Sequence, residues 1–175
     1  MARLAYIRRD SAPAHLQGLI EQIKQERRGQ VSLLFQMLLS SPPVAAGWLH
    51  LGSAIRYETE LDGVVRELAI CRVGQLTDAE YEWQAHAPLA LREGATQAQL
   101  DELARWRESD RFSPAQRAAL AFTEQVTTDL EADDATYADV RGHFGERETL
   151  ELLVSVAFYD FVSRVLRTIR VDLEQ

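Results

Sequence analysis

The segments Val64-Val65-Arg66-Glu67-Leu68-Ala69-Ile70-Cys71 and Asp78-Ala79-Glu80-Tyr81-Glu82-Trp83-Gln84-Ala85-His86 decide how this chain folds. Each is read as part of an amphipathic helix, the first over residues 63–76 and the second over 78–93. Glu67 lies inside the apolar run of the first segment, and His86 follows Glu82 by four residues on the second. The two segments therefore predict neighbouring helices that draw a carboxylate and an imidazole toward a core.

Helix start and stop signals recur along the chain. Thr77-Asp78-Ala79-Glu80, Thr96-Gln97-Ala98-Gln99 and Ser113-Pro114-Ala115-Gln116 have the form of capping boxes, the last with proline at the first helical position. Gly94 stands where a left-handed residue would end a helix. Runs of alternating β-branched residues, which would favour strands, are absent from the sequence. We expect an all-α bundle of about eight or nine helices. They are predicted near residues 12–28, 31–39, 43–57, 63–76, 78–93, 97–107, 114–130, 134–143 and 146–170.

Length and composition are ordinary for one globular domain. The 175 residues are 46% apolar and 26% charged, and a chain of this size buries roughly two thirds of its extended surface. The sequence contains no low-complexity linker. We therefore predict a single domain over residues 1–175, with an N-terminal helical extension (1–60), a core motif (61–107) and C-terminal helices (108–175).

Charge and cysteine content exclude several classes of partner. The formal net charge is −8 and the Lys and Arg residues are scattered, which argues against nucleic acid because phosphate binding needs clustered cations. No apolar run approaches the roughly 20 residues of a membrane span. Cys71 is the single cysteine and cannot form an internal disulfide or a dithiol pair. We expect a cytoplasmic protein without a nucleic-acid or membrane partner.

The last predicted helix is apolar around most of its circumference. Such a helix lies at the centre of a core or in a subunit interface, so a homo-oligomer is expected. Its apolar residues are Leu150, Leu152, Leu153, Val154, Val156, Ala157, Phe158, Phe161, Val162, Val165, Leu166 and Ile169.

Glu67 is the first candidate for chemistry. At about 100° per residue it shares a helix face with Val64, Ile70 and Cys71. A buried carboxylate must be hydrogen-bonded, paired or protonated, and desolvation raises the pKa of such a group toward values useful for proton transfer. Two interpretations stay open, a proton-transfer group and a structural glutamate paired with an arginine. Burial and a nearby carboxylate also raise the pKa of a thiol, which favours a packing role for Cys71.

His86 is the second candidate. Glu82 and His86 form an i, i+4 pair, so their side chains can touch. The carboxylate favours the imidazolium form and fixes the ring, although the same spacing is also that of an ordinary surface Glu–His pair. Two ligands are too few for a metal site, so neither a dedicated metal nor another cofactor is expected.

The segments Arg66–Val73 and Glu80–His86, followed by the turn at Gly94 and a capped helix, resemble the carboxymuconolactone decarboxylase family. That family includes the alkylhydroperoxidase AhpD, and the resemblance covers about residues 60–105. In the peroxidase branch a glutamate is followed by a CxxC motif and by a histidine four residues after the second cysteine. Glu67 and His86 match the glutamate and the histidine, while Ala79 and Glu82 occupy the two cysteine positions.

The resemblance implies an AhpD-like fold, trimers or hexamers, and cofactor-free acid/base chemistry on a small carboxylated lactone. His86 would be the general acid/base or stabilise an enolate. Glu67 would orient it or relay a proton, and Glu82 is a secondary catalytic candidate. On this reading the protein is a decarboxylase-like lyase.

An anionic substrate would need a cation, for which Arg66 and Arg72 are the candidates. Tyr81 and Cys71 complete the predicted substrate-binding set, although Tyr81 projects away from the face shared by Glu82 and His86.

Two other functions stay open. One is a peroxidase-related protein without the CxxC pair, which is disfavoured because one thiol must reduce the hydroperoxide and another must resolve the sulfenic acid. The other is a non-catalytic oligomeric binding protein, for which we expect Glu67 to pair with an arginine in a closed core.

Overall fold

The computed structural model describes residues 2–174, which form nine α-helices and no strand. The predicted all-α class is therefore confirmed. Short 3₁₀ turns cover Arg9–Ser11, Ala14–Leu16 and Leu103–Arg105. The helices are α1 (Gln17–Glu26), α2 (Leu33–Leu38), α3 (Pro42–Tyr57), α4 (Gly63–Leu76), α5 (Glu80–Glu93), α6 (Gln97–Glu102), α7 (Pro114–Asp129), α8 (Asp134–His143) and α9 (Glu146–Ile169).

The first helix is shorter than predicted. Ala12 is extended, because proline disfavours the helical conformation in the residue before it. Two 3₁₀ turns therefore precede α1, which starts at Gln17 rather than near residue 12. At its other end Arg28 and Gly29 take positive φ angles, 55° and 85°, so the helix cannot continue.

The predicted capping box at Thr77-Asp78-Ala79-Glu80 is wrong. The Thr77 hydroxyl instead donates to the Val73 carbonyl at 2.7 Å, Asp78 adopts a φ of 54°, and the Ala79 N–H donates to the Gly74 carbonyl at 2.8 Å. This is a Schellman-type end of α4 with aspartate in the left-handed position. The second helix, α5, consequently begins at Glu80, with no side-chain cap from Ala79.

The other predicted start and stop signals are confirmed. Thr96 and Gln99 form a capping box at α6, and Ser113 and Gln116 form one at α7. Gly94 ends α5 with a φ of 113°, a conformation that is strained for residues with a Cβ atom.

The chain groups into two compact units, one of residues up to 58 with those from 166 on, and one of residues Thr59–Val165. In the first unit the N-terminal arm bonds to the C-terminal tail, since the Tyr6 hydroxyl donates to Asp172 Oδ2 at 2.9 Å. The prediction of a single domain with the proposed subdivisions stays a prediction.

Helix α4 is the central element of the second unit and packs against α5 and α7. Residues 65–71 are buried without interruption, so this stretch of α4 is enclosed on all sides and its polar residues are buried with its apolar ones. At Gly74 the helices α4 and α5 are within van der Waals contact, because a Cβ atom there would stand 3.4 Å from Glu82 Cβ. The core cluster around these helices contains Leu68, Cys71, Ala90, Ala95, Leu100, Leu103, Trp106, Phe112 and Leu120.

The apolar surface of α9 is divided between a buried and an exposed face. Leu152 and Val156 are fully buried, whereas Leu150, Leu153 and Phe161 are exposed. The exposed residues recur at about helical spacing and form one apolar stripe. No helix within residues 2–174 combines the length and the apolar character that crossing a bilayer demands.

Candidate functional site

Glu67 and His86 meet between α4 and α5 in the core of the second unit. Glu67 Oε2 lies 2.6 Å from His86 Nδ1, and their side chains are 2% and 1% exposed. This is the short distance of a charge-assisted hydrogen bond. The Tyr159 ring stands edge-on to the imidazole, with the ring centroids 4.7 Å apart and an interplanar angle of 78°. The imidazole is thus held by a carboxylate and by an aromatic ring, and we name Glu67 and His86 the dyad.

The contact with Glu67 assigns roles to the two imidazole nitrogens. Beside an ionised Glu67, which only accepts hydrogen bonds, Nδ1 is the nitrogen that carries the proton. The other nitrogen, Nε2, lies 3.5 Å from Glu82 Oε2, which is longer than a charge-assisted hydrogen bond. The two ring nitrogens therefore face different carboxylates, Nδ1 that of Glu67 and Nε2 that of Glu82.

Arg66 also contacts the dyad. Its Nε lies 3.3 Å from Glu67 Oε1, so the two oxygens of Glu67 face different partners, one the guanidinium and one the imidazole. The guanidinium further approaches the Thr59 hydroxyl at 3.5 Å and Glu93 Oε1 at 3.7 Å. The arginine partner expected for a structural Glu67 is thus present, beside the histidine expected for a catalytic one.

Arg72, the other predicted cation, is engaged elsewhere. Its Nε and Nη2 donate to Glu124 Oε1 at 2.8 and 2.6 Å, and its Nη1 donates to Gln75 at 2.9 Å. Burial opposes ionisation of Glu124, but hydrogen bonds from Arg107, Trp106 and Arg72 outweigh it and lower the pKa of Glu124. These short bonds argue for a structural Arg72, and its predicted substrate-binding role stays a prediction.

Cys71 is completely buried in the core cluster. Burial raises the pKa of its thiol far above the usual range, and the Glu67 and Glu82 carboxylates raise it further. A thiol in this state is a poor nucleophile. Tyr81 is also buried, and its place in substrate binding stays a prediction.

Two residues near the dyad were not predicted as site residues. Tyr159 comes from α9 and Glu93 from the last turn of α5. Periodicity within one helix cannot show a contact made by a distant helix, and a half-exposed glutamate at a helix end has no distinguishing pattern. Among residues 2–174 no group of three or more His, Cys, Asp or Glu side chains is arranged to hold a metal ion.

Solved structures define the class of fold. One is the alkylhydroperoxidase AhpD core of an uncharacterized peroxidase-related protein from Ralstonia eutropha, with a TM-score of 0.84 and 20% identity over 99% of this chain and 93% of that one. Another is a cysteine-to-alanine variant of the debrominase Bmp8 in complex with 2,3,4-tribromopyrrole, with a TM-score of 0.82 and 17% identity over 98% and 91% of the chains. The fold is therefore AhpD-like.

Sequence comparison finds similarity to one family. Residues 42–125 match the carboxymuconolactone decarboxylase family, and the uncharacterized protein YdfG of Bacillus subtilis is 28% identical over 101 residues, 57% of this chain and 69% of YdfG. The family match thus covers slightly less than half of the chain, and the single cysteine, Cys71, is not in a CxxC pair. The resemblance predicted from the sequence is confirmed.

The state of Cys71 leads to a test with thiol reagents. In the folded protein we expect labelling of Cys71 by a disulfide reagent such as DTNB to be slower than in urea by more than about 100-fold. Each unit of raised pKa removes about tenfold of the thiolate, and burial adds a steric barrier. Labelling is followed by absorbance. Equal rates with and without urea would contradict the buried, protonated thiol.

Proposed function

We propose that this protein is a cofactor-free acid/base enzyme of the carboxymuconolactone decarboxylase type, acting on a small carboxylated or lactone substrate. The 2.6 Å contact between Glu67 Oε2 and His86 Nδ1 carries the proposal. A carboxylate on Nδ1 orients the ring and stabilises the imidazolium form, and it directs Nε2 toward proton transfer.

The chemistry assigns one proton to His86. Loss of CO₂ breaks a carbon–carbon bond and leaves its electron pair in an enolate, which needs a proton at carbon. The imidazolium donates that proton from Nε2 while Glu67 keeps hold of Nδ1. The neutral ring is then reprotonated, with Glu82 as the nearest carboxylate to Nε2 at 3.5 Å. A positioned acid of this kind contributes about 10²- to 10⁴-fold to a rate.

Arg66 is the better of the two predicted cations for an anionic substrate. Its guanidinium adjoins Glu67, and its three contacts lie at 3.3 to 3.7 Å. Arg72 is instead bound by Glu124 and Gln75 at 2.6 to 2.9 Å. A guanidinium with loosely held donors can take up a carboxylate at lower cost than one whose hydrogen bonds must first be broken.

The near-complete burial of the dyad favours a second candidate, a non-catalytic oligomeric binding protein. In that case Glu67 would serve as the hydrogen-bond acceptor for both His86 and Arg66, and the contact with His86 would hold α4 against α5. For catalysis, a side chain or a helix must move to admit the substrate to His86. A peroxidase-related function is disfavoured, because the buried Cys71 thiol has a raised pKa and Ala79 and Glu82 cannot replace two cysteines.

The two candidates differ in the expected effect of replacing His86. For the enzyme, His86→Ala lowers kcat for carboxymuconolactone or a related carboxylated lactone by about 10²- to 10⁴-fold, measured as CO₂ release. The matched control is His143→Ala, since His143 lies 3.9 Å from Asp139 in α8, away from the dyad. Circular dichroism establishes that both variants are folded.

Glu67→Gln separates orientation from charge, because glutamine keeps an acceptor for Nδ1 but removes the negative charge. We expect a folded protein with reduced kcat and a little-changed KM. Full turnover in folded His86→Ala would reject the enzyme. A wild-type protein without turnover, in which both substitutions only lower the free energy of unfolding, would favour the binding protein.

We also infer that the apolar stripe of α9 joins copies of this chain into the trimer or hexamer that the family resemblance implies. Leu150, Leu153 and Phe161 are exposed on this stripe, and exposed apolar patches often mark protein interfaces. Phe161→Asp should lower the mass measured by multi-angle light scattering, because a carboxylate would be buried in the interface. Leu130→Asp is the control, since Leu130 is exposed outside α9. An unchanged mass for Phe161→Asp would exclude this interface.

A further inference from the structure

The guanidinium of Arg66 is buried without being well satisfied. A guanidinium carries five N–H donors, and charge-assisted hydrogen bonds are normally about 2.7–2.9 Å long. The acceptors around Arg66 lie at 3.3 Å (Glu67), 3.5 Å (Thr59) and 3.7 Å (Glu93), although its side chain is only 7% exposed. The hydrogen bonds of Arg72 in the same helix are 2.6–2.9 Å long, so of these two arginines only Arg66 is held by long contacts.

Glu93 covers this guanidinium from the solvent side. Its side chain is 46% exposed, while its carboxylate faces Arg66 Nη2. The carboxylate also lies over Gly63, the first residue of α4, where a Cβ atom would overlap it. Glycine at this position therefore makes room for the Glu93 carboxylate beside Arg66.

From the surface to the dyad, acidic and basic side chains alternate. Glu93 contacts Arg66, Arg66 contacts Glu67, and Glu67 contacts His86. Exposure falls along the series from 46% at Glu93 to 1% at His86, so only Glu93 has substantial contact with solvent. An ion pair of this length with one exposed partner is weak, and Glu93 can leave Arg66 at small cost.

We propose that Glu93 is a displaceable cover whose carboxylate occupies the place that the carboxylate of a small anionic ligand takes on Arg66. The planar guanidinium matches a carboxylate with two parallel hydrogen bonds. Binding of the ligand moves Glu93 into solvent. The ligand then contacts Arg66, which itself contacts Glu67 of the dyad. The inference rests on the proposed function for the reaction at that site, but ligand binding itself requires no turnover.

The test is a binding measurement with benzoate as the anionic probe and benzamide as its neutral counterpart, followed by calorimetric or NMR titration. Two substitutions remove the cover in different ways. Glu93→Ala removes the carboxylate, and Gly63→Ala keeps it but adds the Cβ atom that overlaps it. Both should bind benzoate about fivefold more tightly than the wild type, the size expected for releasing one weak ion pair.

Glu80→Ala is the matched control, because Glu80 is exposed at the opposite end of the same helix. It should leave benzoate affinity unchanged, and benzamide should not distinguish the proteins. Arg66→Gln should abolish the gain when combined with Glu93→Ala. Unchanged benzoate affinity in both cover variants, an equal gain for benzamide, or no benzoate binding to Glu93→Ala would each overturn the proposal.

Turnover of carboxylated lactones is measured separately on the same proteins. Tighter benzoate binding by the cover variants without any turnover would reject the acid/base function but support the role of Glu93 as a cover. Turnover that depends on His86, together with unchanged benzoate affinity in the cover variants, would reject the role of Glu93 as a cover but support the acid/base function.

Discussion

The hydrogen bond between Glu67 and His86 is the constraint on which the centre of this structure depends. Two ionisable groups that are almost fully buried are costly unless each finds a partner, and these two lie on different helices. They meet at 2.6 Å, which requires α4 and α5 to pack closely and in one register. The left-handed Asp78 turns the chain between the helices.

Much of the fold could be predicted from the sequence, because helix limits are set by local chemistry. Capping boxes at Thr96 and Ser113 and the left-handed Gly94 mark helix ends that form as expected. Thr77 shows the limit of such patterns. Its hydroxyl can cap the next helix or bond to the preceding one, and in the folded protein it donates to the Val73 carbonyl of α4.

The site was predictable only in part. An acidic residue in an apolar run and a histidine on the following helix indicate the dyad, and the structure brings both together. Which arginine lies beside the dyad depends on the carboxylate that each guanidinium contacts. Arg72 forms an ion pair with Glu124 of α7, and Arg66 contacts Glu67. Tyr159 packs on the imidazole from α9, a contact between distant segments that no local spacing encodes. The chemistry proposed for this site is therefore proton transfer by His86, because the single cysteine, Cys71, has no second thiol for a dithiol reaction.

The protonation of the His86 ring tests the central claim most directly. Two-bond ¹H–¹⁵N correlation spectra distinguish the ring nitrogens, and the partly exposed His143 serves as a reference within the same protein. We predict a proton on Nδ1 that is strongly deshielded, exchanges slowly with water and shifts upfield in Glu67→Gln. A neutral ring protonated on Nε2 alone, unaffected by Glu67→Gln, would contradict a dyad in which Glu67 holds Nδ1 and leaves Nε2 to transfer the proton.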